Sequence, residues 1–183
     1  KLYHGLGKFV RMRDVDKTFD EVVSIKEKYD SELVFFIDDN FLGMPRERFD
    51  YFCKQYKERI SLPFYIQTRS ETVNEEYVRK LKETNISTIA IGVEHGDKHL
   101  RRKQMNRHMN NADLQRAFDI VHKYDIRTTA NIIIGMPGEK ESMMRETVAL
   151  MKKLKPKSFS VNYFQPYRGT LMRQVAVEAG YIP

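Results

Sequence analysis

The strongest constraint on this chain is a rhythm. Five short apolar runs recur along it, each of strand length, each closing on polar residues and separated from the next by a helical pattern. The clearest is Asn131-Ile-Ile-Ile-Gly-Met-Pro-Gly-Glu139, where an apolar strand enters a Gly/Pro turn and then a helix. Continuous apolar character predicts strands covered on both faces, as in a parallel sheet. Helices between successive strands predict right-handed crossovers. Five such units are too few to close an eight-stranded barrel, so the expected fold is α/β, an open, partial TIM-type barrel.

The runs lie at residues 33–37, 64–67, 88–93, 128–134 and 159–164. Helical spacing predicts a helix over residues 18–29 with Phe19, Val22, Val23 and Lys26 on one face. A second starts near Pro45 and carries Phe49, Phe52, Cys53, Tyr56 and Ile60. A short helix turns Tyr77, Val78 and Leu81 inward, and a long connection leads to one carrying Leu114, Ala117, Phe118 and Val121. The helix after the fourth strand is expected to bury Met144, Thr147, Val148 and Met151, and a last helix runs from near Thr170 to Gly180. Residues 1–13 are basic, contain glycine and read as a loop. No linker or low-complexity tract divides the chain, so residues 1–183 read as a single domain.

Composition narrows the classes. With 183 residues, 41% hydrophobic and 31% charged, the chain is long enough to bury a core and too apolar for disorder. No apolar run approaches the roughly 20 residues of a membrane span, and Lys1-Leu-Tyr-His-Gly5 lacks a signal-peptide core. The single cysteine, Cys53, excludes an internal disulfide and fits a reducing, cytoplasmic setting. Its place on a helical apolar stripe predicts packing. The net charge of +7 concentrates at Lys98, Arg101, Arg102, Lys103 and Arg107. These residues are expected on a solvated face, and with no RNA-binding signature nearby a nucleic acid is not the expected partner.

The chemistry gathers at the strand ends. In order these carry Asp38, Asp39 and Asn40; Thr68 and Arg69; Glu94 and His95; Gly135 to Glu139; and Asn162, Tyr163 and Gln165. Carboxylates would accept from an ammonium, Arg69 would grip a carboxylate, and glycines would let the backbone approach a flat ring. Each member also has a plain structural use. Asp38-Asp39-Asn40 would serve as a turn and helix cap, Arg69 and Glu94 as an ion pair between neighbouring strands. His108 and His122 show no ligand spacing, so no metal site of this chain's own is expected.

Taken in order, Phe36-Ile-Asp-Asp-Asn-Phe41, Thr68-Arg69, Ile91-Gly-Val-Glu-His-Gly-Asp97, Met105-Asn-Arg107 and Ile134-Gly-Met-Pro-Gly-Glu139 resemble the radical S-adenosylmethionine (radical SAM) superfamily. The branch most resembled includes cobalamin-dependent members and anaerobic magnesium-protoporphyrin ester cyclases, which are iron-sulfur oxidoreductases. Gln165-Pro-Tyr-Arg-Gly-Thr170 is similar to that branch's sixth-strand turn.

The resemblance implies a (β/α)6 partial barrel of which this chain supplies the second to sixth strands. It implies S-adenosylmethionine across the strand ends. Asp38, Asp39 and Asn40 would meet the methionyl amine, Arg69 and Glu94 the ribose and carboxylate. Ile133, Gly135, Pro137 and Gly138 would lie near the adenine, with Asn162 and Gln165 on the same rim. It also implies a 4Fe-4S cluster held by Cys-x3-Cys-x2-Cys after the first strand. That motif is absent here, and Lys1–Arg13 resembles the stretch just downstream of it. The expectation is a chain that starts after the cluster loop and lacks the first strand. Such a chain would be inactive alone, though part of an enzyme that cleaves S-adenosylmethionine to a 5′-deoxyadenosyl radical. Cobalamin would enter through another domain. A small-molecule substrate and an electron donor are the implied partners, and no catalytic acid, base or radical carrier is assignable. A bare sheet edge beside residues 33–37 would favour self-association unless residues 1–30 cover it. A non-catalytic β/α domain that binds a nucleotide-like ligand or a partner, and a basic domain acting on RNA, remain alternatives.

Overall fold

The computed structural model describes residues 10–183 together with Gly5 and Gly7. Of the loop expected over residues 1–13, only those two glycines and residues 10–13, which form no regular element, fall within the described part. Strands β1 (Val34–Phe35), β2 (Phe64–Arg69), β3 (Ile86–Glu94), β4 (Arg127–Ile134) and β5 (Ser158–Tyr163) pair in sequence order, all parallel. They curl into a half-barrel accompanied by α1 (Val15–Tyr29), α2 (Arg46–Arg59), α3 (Glu75–Glu83), α4 (Lys98–Met105), α5 (Asn111–Lys123), α6 (Glu141–Leu154) and α7 (Leu171–Glu178). Among the described residues no helix is long and apolar enough to cross a membrane.

Local chemistry sets the helix ends. The Asp14 carboxylate accepts from the Lys17 N–H at 3.0 Å and starts α1. Asn110 and Asp113 form a reciprocal capping box on α5, and Thr170 caps α7. One core forms where α1, α2, α3, α5 and α6 cover a single face of the sheet. Phe64 and Ile66 of β2, Ile89, Ile91 and Val93 of β3, and Ala130 and Ile132 of β4 point into it. Phe19, Phe36, Phe41, Phe52, Tyr56 and Phe64 build its densest part, with Phe19 and Phe52 meeting edge to face at 5.1 Å. The Tyr56 hydroxyl donates to the Leu62 carbonyl at 3.0 Å, so this buried phenol is satisfied.

Three expectations need correction. The first strand shrinks from residues 33–37 to Val34–Phe35, an edge with a single neighbour, β2, and the strands are covered by helices on one face, not on both as their apolar runs suggested. Phe36 packs among the core aromatics while Phe35 and Ile37 are 51% and 81% exposed. No strand of the described residues 10–30 pairs with this edge. On α6 the buried stripe is Thr147, Leu150 and Leu154 with Met151 packed against it, and Met144 and Val148 are exposed. The connection after β3 holds the helix α4, whose weak apolar periodicity hides it: only Leu100 and a charged residue, Arg101, are buried.

Candidate functional site

All five strands present their C-terminal ends on one side, and the polar clusters gather there. After β1 the chain turns through Asp38-Asp39-Asn40 into a short 3-10 turn, Phe41–Gly43. The Asn40 carboxamide oxygen accepts from Thr68 Oγ1 at 3.0 Å and from the Arg69 N–H at 3.2 Å, tying the turn to the end of β2. Gly43 lies directly against that carboxamide, where a side chain would collide. Asp38 and Asp39 line a cavity of about 1070 Å³ with Asn40, Arg48, Arg69 and Arg107. Burial pushes the Asp38 carboxyl above its usual range, as does the charge of Asp39, while Arg48 pulls it down.

Arg69 and Arg107 share the carboxylate of Glu71: Arg69 Nη2 lies 3.1 Å from Oε1, and Arg107 Nη2 lies 3.6 Å from Oε2. Arg107 also stands 3.8 Å from Glu94 Oε1. The direct Arg69–Glu94 ion pair, the plain structural alternative for these two residues, is replaced by a four-membered network centred on Arg107 and Glu71. Nε of Arg69, and Nε and Nη2 of Arg107, are buried without a hydrogen-bond acceptor. Burial holds the Glu94 carboxyl above its usual range, with Arg107 and then Arg69 opposing. Burial pushes Glu71 the same way, but a backbone N–H, Arg107, Ser70 and Arg69 outweigh it and leave its carboxyl low. Glu94 sits at a bulge in β3 with φ of 66°, an uncommon backbone state for a residue with a side chain.

The next turns are bound to each other. His95 is wholly buried; the Asp97 N–H donates to its Nδ1 at 3.0 Å, so Nε2 carries the proton and donates to Glu139 Oε1 at 2.8 Å. The other Glu139 oxygen accepts from the backbone N–H groups of Gly135 and Met136, the latter at 3.0 Å. His95 is thus a staple between the β3 and β4 turns. Arg101 is fully buried and donates to the carbonyls of His95, Gly96 and Met109 and to Asn111. The basic stretch is consequently divided: Lys98, Arg102 and Lys103 face solvent, whereas Arg101 and Arg107 are inner groups.

The remaining sequence-predicted residues spread along the rim. Gly135 and Gly138 take φ of 79° and 75°, which glycine adopts without strain. The buried Pro137 accepts from Gln104 Nε2 at 2.9 Å through its carbonyl, and Ile133 is half-buried on the face away from the helices. Asn162 and Gln165 are exposed, on β5 and the segment after it, and neither lines the large cavity. Arg107 and Glu71 were missed as site residues, and Glu139 entered only as the end of the fourth turn. Arg107 had a signal in Met105-Asn-Arg107, and Glu71 stands two residues past Arg69.

The guanidinium N–H groups of Arg69 and Arg107 that lack acceptors suit a carboxylate or hydroxyl, and Asp38 and Asp39 on the same cavity suit a cation, so the lining is compatible with a zwitterion. It does not fit a metal cluster. Among the described residues no group of three His, Cys, Asp or Glu side chains could hold a metal. Cys53 is buried on α2, its thiol pushed up to about 12 by burial and by Asp50.

Comparison with known proteins bears on the family and the fold. A family model described as the radical SAM superfamily matches residues 3–151. An uncharacterized methyltransferase from Pyrococcus horikoshii is 22% identical over 171 residues, 93% of this chain and 37% of that protein. Among solved structures, the radical S-adenosylmethionine methyltransferase TsrM from Kitasatospora setae, with cobalamin and a 4Fe-4S cluster bound, superposes with a TM-score of 0.71. It is 16% identical, over 85% of this chain and 30% of that one. Coproporphyrinogen III oxidase (HemN) from Escherichia coli, a radical SAM enzyme, gives 0.68 at 12% identity, over 92% and 40%. The chain spans well under half of each of these relatives.

Proposed function

Because this chain belongs to the radical SAM superfamily, we propose that it is the S-adenosylmethionine-holding core of a radical enzyme. The observation that carries this reading is the cavity lined by Asp38 and Asp39 together with Arg69 and Arg107, of which Arg69 Nε and Arg107 Nε and Nη2 are buried without a hydrogen-bond acceptor. The zwitterionic methionyl end of the cofactor matches that lining. Asp38 and Asp39 would accept from its ammonium, and Arg69 and Arg107 would donate to its carboxylate. Glu94 would accept from a ribose hydroxyl, and the glycine-bearing turn at Ile133–Gly138 would leave room for the adenine. When bound, the cofactor would supply radical chemistry toward a substrate, and these residues would orient it and exclude water.

The described residues do not fit a 4Fe-4S cluster, so the electron source would lie outside them, as would any cobalamin. A small-molecule substrate and an external electron donor follow as partners, and the cytoplasm as the setting. Calorimetric titration of this chain with S-adenosylmethionine tests the reading. Binding that falls by about tenfold or more in Asp39→Ala and in Arg107→Ala is expected, the loss of one charge-assisted contact. No binding, or binding indifferent to both substitutions, overturns it.

A further inference from the structure

Strand β5 stays exposed from Ser158 to Tyr163. Phe159 pairs in register with Ala130 of β4, and Val161 with Ile132, both of them buried in the core. Phe159, Val161 and Tyr163 therefore lie on the face that helices cover elsewhere, yet they are 64%, 44% and 72% exposed. Helix α7 leaves them open: Ala176 is its single buried residue, and Leu171 and Val177 are exposed. Among the described residues β5 has one neighbour, β4, so its outer edge offers N–H and C=O groups to another strand. Exposed edges are ordinarily guarded by charge or proline, and residues 158–163 contain neither.

This edge is complementary to itself. Val161 has an aromatic residue two positions away on either side, Phe159 and Tyr163, on one face, and Ser160 and Asn162 beside it on the other. A second copy laid antiparallel about Val161 sets Phe159 against Tyr163 twice and Val161 against itself. Ser160 then faces Asn162, whose amide reaches its own Ser160 at only 3.5 Å. Aromatic and hydroxyl–amide pairs across strands stabilise an antiparallel ladder. Beyond the strand Lys157 faces Gln165 and Lys155 faces Tyr167, so no like charges meet along the seam. Head-to-tail pairing with the opposite edge offers less, because β1 is two residues long. The two-fold arrangement also closes at two copies. Phe159, Val161 and Tyr163 expose roughly 350 Å² per copy, below the 800 Å² or so per partner of a standard interface, so the pairing is reversible.

We propose that β5 is a homodimer edge, which joins two copies of this chain into one continuous sheet through an antiparallel ladder centred on Val161. The inference does not depend on the cofactor reading.

Sedimentation velocity and cysteine crosslinking test it. Ile37→Lys, which charges the opposite edge, serves as the background, and a reversible dimer is expected to remain in it. Adding Val161→Lys is expected to weaken that dimer by at least about tenfold, because a charge then stands at the centre of the seam. Under mild oxidation Val161→Cys is expected to form a covalent dimer, since facing residues of an antiparallel pair stand within disulfide reach. Phe159→Cys faces Tyr163 of the second copy, and is expected to crosslink at most about a tenth as fast. The native Cys53 is buried and does not compete. Each cysteine variant alters one exposed side chain, so the test survives if the lysine variant folds poorly. A monomer at every concentration in the Ile37→Lys background overturns the proposal, by assigning this face to a different occupant. A dimer that persists undiminished in Val161→Lys, or crosslinking through Phe159→Cys as fast as through Val161→Cys, overturns it as well.

Discussion

Glu94 folds its carboxylate back over Gly92, two residues earlier on the same strand. A Cβ at Gly92 would lie 2.6 Å from Glu94 Oε1 and 3.7 Å from an Arg107 nitrogen. The bare α-carbon therefore makes the seat in which the acidic member of the charged network rests. Gly92→Ala is expected to displace Glu94 with only a modest change in melting temperature, because the atom that must move ends a flexible side chain. S-adenosylmethionine affinity should fall by about tenfold. In a Glu94→Ala background the same substitution should cost nothing further, and calorimetry on the double-mutant cycle reads this non-additivity.

The raised pKa of Glu94 gives a second test. Its folded value lies above the ordinary carboxylate range because of burial. The native state thus holds this proton more tightly than the unfolded chain, and stability falls as pH rises between the unfolded and folded values. Glu94→Gln should melt higher than the parent protein at pH 7, and the difference should vanish below about pH 4, where both states are protonated. Thermal melts across pH check the sign. A parent protein that is the more stable at pH 7 would refute it.

Glu139 holds three groups at once: His95 Nε2 and the N–H groups of Gly135 and Met136. Leaving a buried donor without its acceptor costs about 1–3 kcal/mol. Glu139→Ala should show a loss of that size in urea denaturation. Glu139→Gln retains an acceptor oxygen and should lose roughly half as much.

Arg101 and Arg102 are adjacent and opposite in role. Arg101→Ala abandons four acceptors inside the protein and should unfold it or cost about 3 kcal/mol or more. Arg102→Ala touches an exposed side chain and should change stability by less than about 0.5 kcal/mol. Denaturation midpoints of the two variants separate them.

The β1 edge, with Phe35 and Ile37 open to water, is expected to drive concentration-dependent association. Ile37→Lys places a charge on that edge, and sedimentation velocity should show a shift toward monomer.

The architecture was legible because each central strand contains an apolar run and amphipathic helices separate the strands. The helical faces of α2 and α5 packed as their spacing predicts: Phe49, Phe52, Cys53 and Tyr56, then Leu114, Ala117, Phe118 and Val121. Helix α4 escaped because it is anchored by a buried guanidinium, which apolar periodicity does not register. The α6 stripe was misplaced by one position because Met143-Met144 and Thr147-Val148 offer similar residues on adjacent faces. In the site, Asp38, Asp39 and Arg69 were legible from their place at strand ends. Arg107 reaches the same cavity from beyond α4, and no local pattern announces an approach made through tertiary structure.

The short β1 and the longer β2 to β4 also set a gradient of amide exchange across the sheet. The two central ladders, β2–β3 and β3–β4, backed by the core, should surrender their protons last, and the two-residue β1 ladder should open first. Asp38 and Asp39 hang from the fast edge, Arg69 and Glu94 from the slow centre. A ligand gripping both would lend the edge some of the centre's persistence, and deuterium uptake at residues 34–40 would slow in step with occupancy.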